Sequence, residues 1–195
     1  DKKEKKSSPP PQLIDLLGIA GRLSGYSTKT ITSTYQKMYQ DEVVSYPRTD
    51  DRKITLEQFN EFLEIADKVA DVVVDKSLLT HRKPRGTHIH KSGAHGANRP
   101  DHNVPNSLEE LDKYGSGARA IYTLLARNSL AMLCEDYIYE RHTGHIEDFP
   151  KYKGGTNIPL SLGWKEIYES DEDEEEDVSK GLGKIGKPFV FEGFP

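Results

Sequence analysis

The stretch that most limits what this chain can become is Val43-Val44-Ser45-Tyr46-Pro47-Arg48-Thr49-Asp50-Asp51-Arg52. Two β-branched residues favour extended backbone, and the proline directly after Tyr46 keeps that tyrosine out of the helical region. Pro47 also fixes its own φ and donates no hydrogen bond, so a strand should end at the ring and a stiff turn should follow. The phenol then stands at a nearly constant offset from Arg48, Thr49, Asp50 and Arg52.

Such a cluster has two readings. A phenol with an unperturbed pKa of about 10 is a weak nucleophile at neutral pH and needs a neighbouring cation. Arg48 can favour the phenolate and grip a phosphate through two oxygens, with Asp50 anchoring the guanidinium. In the other reading the strand simply ends in a half-buried tyrosine beside an ordinary Arg-Asp surface pair.

A second polar segment lies downstream at Ala94-His95-Gly96-Ala97-Asn98-Arg99-Pro100. Its small residues let backbone approach a ligand, and Pro100 and Pro105 stiffen the loop 93–105. His95 offers a ring nitrogen and Arg99 a forked donor to an anion, although a lone loop histidine is as easily a satisfied structural one. The preceding loop 81–91 is basic and either positions a phosphate backbone or is solvated surface. Histidines at 81, 88, 90 and 95 raise a metal site, but no carboxylate or cysteine ligands accompany them, and no metal ligands are assigned.

Ser45-Tyr46-Pro47-Arg48-Thr49-Asp50 resembles the active-site signature of type IA DNA topoisomerases, Tyr-Met/Pro-Arg-Thr-Asp, with the proline form nearer the topoisomerase III branch. Ala94 to Pro100 is similar to that family's Ala-His-x-Ala-Ile-x/Arg-Pro segment, and Gly163-Trp164 resembles its Gly-Trp pair; the likeness covers about residues 9–164. Asn98, where the family usually has an aliphatic residue, and Asp101, where threonine is common, depart from the pattern. The resemblance implies that Tyr46 attacks single-stranded DNA and becomes linked to the 5′ side of the break. It further implies that Arg48 stabilises charge on the scissile phosphate and that His95, Arg99, Thr49, Arg52 and Lys91 contact DNA. Strand passage and resealing would need no ATP.

Family members hold Mg2+ in a separate Toprim domain marked by a glutamate and an Asp-x-Asp-x-Asp run, which has no counterpart here. The expectation is therefore a monomeric fragment, inactive in relaxation alone, whose partners are single-stranded DNA and that Toprim domain.

The net charge of −5 argues against a nucleic-acid partner only until residues 169–177 are set aside. That run carries eight carboxylates, leaving +3 for the remainder. It is a solvated loop, a mimic of a phosphate backbone or a recruiter of other proteins. The single cysteine, Cys134, excludes an intrachain disulfide and a cysteine zinc site. No apolar run approaches the roughly 20 residues that cross a bilayer, so no membrane association and a cytoplasmic location are expected.

Periodicity gives an α+β chain: residues 1–11 as linker or cut edge, 12–136 as an α-rich domain bearing the tyrosine, and 137–195 as part of an antiparallel β arch. Helices are expected over 12–23, after an N-cap at Ser27, after a Thr55/Gln58 capping box, after a Ser107/Glu110 capping box, and over 116–136 with Arg119 and Arg127 outward. The first two, parted by Gly21 and Gly25, suggest a helix-turn-helix of winged-helix type. Strands are expected over 137–146, 158–168 and 188–194, with a turn at 151–155. The rival function is a non-catalytic helix-turn-helix DNA-binding module whose Tyr-Pro-Arg turn only positions a phosphate.

Overall fold

The computed structural model describes residues 2–90, 95–146 and 149–169. It combines a helical body with a three-stranded antiparallel sheet.

The body is built around helix α4, Ala118–Ala131, which buries Ile121, Tyr122, Leu125, Ala126, Leu130 and Ala131. It ends before the expected residue 136 in tight turns through Cys134. Helix α3, Leu56–Val73, presents Phe59, Phe62, Ala66, Val69 and Ala70 to the core, a stripe at helical spacing. Its start is fixed by the expected capping box: the Thr55 hydroxyl accepts from the Gln58 amide at 3.2 Å, and Gln58 Oε1 accepts from the Thr55 amide at 3.0 Å. Thr55→Ala should lower the free energy of unfolding by about 1 kcal/mol, measurable in a denaturant titration.

Helix α2, Thr28–Gln40, begins at Ser27 as expected and buries Ile31, Thr34, Tyr35 and Met38. Helix α1, Leu16–Arg22, starts later than residue 12 because Asp15 caps it, accepting from the Gly18 amide at 2.6 Å. The residues before it are drawn out along α4, where Asn128 accepts from the Ile14 amide at 2.9 Å and donates to the Gln12 carbonyl at 3.2 Å. Residues Leu108–Tyr114 form a 3-10 helix without a side-chain cap from Ser107. Glu110 instead accepts from the backbone and side-chain amides of Asn106, both at 2.9 Å. Arg127 is buried at 8% exposure, contrary to its expected outward position, because the C-terminal half of α4 is buried on every face from Leu125 to Ala131. Arg119 does lie outside, held by Asp112 and Glu109.

The sheet corrects three expectations. Residues 2–8, read as linker, form strand β1, Lys2–Ser8, antiparallel to β2, Tyr137–Ile146, in register from Lys2 opposite Thr143 to Ser8 opposite Tyr137. Backbone pairing is indifferent to side-chain polarity, and a ribbon with largely exposed faces leaves no apolar alternation to read. Its root is fixed by Trp164 Nε1, which donates to the Ser8 carbonyl at 3.0 Å, and by Ser7, bonded to Asp136 at 2.6 Å. Strand β3, Phe149–Ser161, runs straight through the expected turn at 151–155, with Gly154 opposite Gly144 and Gly155 opposite Thr143. The strand expected over 158–168 stops at Ser161, because Gly163 adopts φ +52° and the Trp164 amide turns back to the Glu135 carbonyl at 2.9 Å. A Cβ at Gly163 would lie 2.3 Å from the Asp136 carbonyl oxygen, so this turn requires glycine. Helix α5, Glu166–Glu169, follows. The acidic run beyond 169 and the strand expected at 188–194 lie outside the described residues.

Candidate active site

The tyrosine loop is held from both sides through its backbone. Val44 bridges Pro100 in antiparallel fashion, the Ser45 amide donates to the Arg99 carbonyl at 2.9 Å, and the Arg99 amide donates to the Ser45 hydroxyl at 3.0 Å. Farther along, the Ile54 amide donates to the His88 carbonyl at 2.9 Å and the Ala97 amide to the Lys53 carbonyl at 2.9 Å. The two sequence motifs, some fifty residues apart, are thus stitched together by an isolated bridge and single backbone hydrogen bonds; the strand expected to end at Tyr46 reduces to the one bridge at Val44.

Asn98 supplies the central tie. It is fully buried, and its Nδ2 donates to the Tyr46 carbonyl at 2.9 Å and to the Tyr35 hydroxyl at 2.8 Å. Tyr35 in turn donates to the Ser45 carbonyl at 3.1 Å. Burial raises the pKa of the Tyr35 phenol well above its ordinary value, so it stays a neutral donor. An aliphatic residue at 98 could make neither bond; the departure from the family pattern therefore belongs to a polar clamp beneath the tyrosine.

The half-buried Tyr46 ring packs edge-on to Tyr39, with centroids 5.6 Å apart, and lies 4.5 Å from the imidazole of His95 at a 34° tilt. His95 is exposed. Its carbonyl accepts from Gln58 Nε2 at 3.2 Å, so the side chain that caps α3 also sets the height of His95. Gly96, at φ +63°, makes this possible: a Cβ there would meet Gln58 Oε1 at 2.2 Å. Neither role of Gln58 toward His95 nor that of Tyr39 had a signal in local sequence, since both depend on how α2 and α3 pack.

The cations separate into two kinds. Arg48 and Arg52 are exposed on the turn and pair with no carboxylate among the described residues. The expected Asp50 anchor for Arg48 does not form; the turn is tightened instead by the Thr49 hydroxyl, which accepts from the Asp51 amide at 3.1 Å. Arg99 is drawn inward, its side chain 12% exposed, toward Glu61 at 3.7 Å and the Ala97 carbonyl at 3.5 Å. Desolvation lowers its pKa from the usual guanidinium value, with Asp101 and Glu61 opposing the shift. Lys91 lies outside the described residues.

The basic loop before this segment is largely structural. Arg85 is wedged under the end of α4, donating to the Met132 and Cys134 carbonyls and pairing with Asp136 at 2.6 Å. Buried His88 spends both ring nitrogens, one on the Pro11 carbonyl at 2.8 Å and one on the Thr87 hydroxyl at 2.8 Å. Among the described residues, no group of three His, Cys, Asp or Glu is placed to hold a metal ion.

The family described as DNA topoisomerase matches residues 1–189. DNA topoisomerase 3 of Bacillus subtilis is 31% identical across 95% of this chain, and that of Haemophilus influenzae is 29% identical across 90%. In both cases the match occupies 27% of the relative, so the chain spans about a quarter of the length of these curated proteins. Full-length topoisomerase I from Thermotoga maritima has a similar fold, with a TM-score of 0.56 and 22% identity over 86% of this chain and 28% of that one.

Proposed function

Because the chain belongs to the DNA topoisomerase family, in its type IA, topoisomerase III-like branch, we propose that Tyr46 is the nucleophile that opens one DNA strand. The observation that carries this reading is Tyr46 itself, its backbone carbonyl tied to buried Asn98, its ring flanked by the His95 imidazole, and followed by an exposed Arg48. The phenolic oxygen attacks phosphorus, the new P–O bond joins Tyr46 to the 5′ side, and the bond to the 3′ oxygen breaks. The proton lost by the phenol ends on that oxygen, leaving a free 3′ hydroxyl. The reverse attack reseals the strand, and because one phosphate ester replaces another, no ATP is consumed.

Arg48 stabilises charge on the phosphate under attack, and His95 holds a phosphate oxygen beside it. Thr49, Arg52 and Lys91 position the flanking backbone, whereas Arg99 acts from behind, steadying the loop that carries His95. Residues 12–136 form the tyrosine-bearing unit, with α1 and α2 in the helix-turn-helix role, and the sheet belongs to the arch. Magnesium, which would help stabilise charge on the phosphates, would be held by a Toprim domain and not by Tyr46, Arg48 or His95. The enzyme acts as a monomer in the cytoplasm; no helix of the described residues is long and apolar enough to cross a membrane.

The test is covalent capture. The protein, supplied with a Toprim domain and magnesium, is mixed with single-stranded oligonucleotide labelled at one end or the other and run on a denaturing gel. The 3′-labelled strand should move with the protein and the 5′-labelled strand should not. A module that only binds DNA would leave both labels free, which would end the proposal.

A further inference from the structure

The three-stranded sheet, on elements other than the tyrosine loop, carries a marked excess of basic residues. The three strands together carry seven lysines and arginines against two glutamates, a net +5 in a chain whose total is −5. Cross-strand partners share a face of a sheet, so the register sorts these charges. Lys2, Lys6, Arg141 and Lys153 fall on one face with His145, opposed only by Glu4; Lys3, Lys5, Glu140 and His142 fall on the other.

The cationic face has the shape of a track. Gly155, opposite Thr143, interrupts the side chains, and a cavity of about 510 Å³ opens there, edged by Lys2, Arg141, His145 and Lys153. Toward the body, beyond the Lys2, Glu4 and Lys6 side of the ladder, Tyr139 stacks on Tyr137 with centroids 5.0 Å apart and 18° between planes. Cations along a groove followed by an aromatic platform are what an extended single strand requires, because the phosphates meet charge and the bases meet a π face. Lys2–Ser8 is seven residues, six steps or roughly 20 Å at strand rise, so Lys2 lies about that far along the ribbon from its root at Ser8.

We propose that this face of the β1-β2-β3 sheet is a second DNA contact, binding the backbone of single-stranded DNA through Lys2, Arg141 and Lys153 and a base through Tyr139. The proposal rests on the DNA-cleaving reading above and adds a separate site to it. Glu4, which pairs with both Lys2 and Lys6, is the built-in competitor that the strand displaces.

The experiment measures binding of a fluorescent single-stranded oligonucleotide against salt. The triple variant Lys2→Ser, Arg141→Ser, Lys153→Ser alters only exposed side chains. It should weaken binding at least tenfold near 0.1 M salt and make the log–log salt slope shallower by about two. Tyr139→Ala should weaken binding roughly tenfold, and Glu4→Gln should tighten it. Unchanged affinity and slope in the triple variant would overturn the proposal. So would a loss of binding to a synthetic peptide of residues 169–177 with none to DNA, which would assign the face to the chain's own carboxylates. If no covalent species forms at Tyr46 yet the triple variant loses affinity, the cleavage reading fails and this site stands.

Discussion

Tyr46→Phe should remove covalent capture of single-stranded DNA by more than about a thousandfold, leaving no adduct on a denaturing gel. The substitution deletes one oxygen and no packing. The ring contacts to Tyr39 and His95 involve carbon faces and edges, and the backbone ties to Asn98 and Arg99 do not involve the phenol. The phenolic oxygen makes no hydrogen bond among the described residues, so no protein group is left unsatisfied. The free energy of unfolding should therefore move by less than about 0.5 kcal/mol, and non-covalent binding should be unchanged. This combination separates a nucleophile from a structural tyrosine, whose loss would show first as instability. An adduct that persists in the variant would place the chemistry on another residue.

The tyrosine turn was readable because its causes are local. A β-branched pair, a proline and a polar tail determine backbone conformation within a few residues, and the Thr55/Gln58 capping box is equally self-contained. Pairing of the two motifs had no such local cause; it came through resemblance and takes physical form in the Ser45 and Arg99 hydrogen bonds. The sheet was the least legible part. Lys2-Lys3-Glu4-Lys5-Lys6 reads as a charged tail because nothing in it needs burial, yet its amides find partners on β2 more than 130 residues away. Gly154 and Gly155 read as a turn because glycine usually marks one, but here they sit in the ladder and clear the floor of a groove. Arg127 misleads for a related reason: a cation on a helix is normally outward, but the last two turns of α4, Leu125 to Ala131, are buried at every position.

The second large effect is expected at Gly96→Ala, which should lower the free energy of unfolding by about 3 kcal/mol, or roughly 6–12 °C in Tm for a chain of this size. Two costs combine. An alanine at φ +63° bears left-handed strain of about 1–2 kcal/mol, and its Cβ would sit 2.2 Å from Gln58 Oε1. Gln58 has a flexible end and can swing away, but only by giving up the capping bond to Thr55 and the bond to the His95 carbonyl, together about 1–1.5 kcal/mol. Gln58→Ala alone should therefore cost that latter amount. The two losses should not add, because the clash disappears once Gln58 is gone; the double variant should be no less stable than Gly96→Ala. Both single variants release His95 from its height beside Tyr46, so adduct formation should fall about ten- to a hundredfold in each, with single-strand affinity nearly retained. A double variant whose destabilisation equals the full sum of the two would show that Gln58 and Gly96 act independently, and that the α3 cap does not position His95.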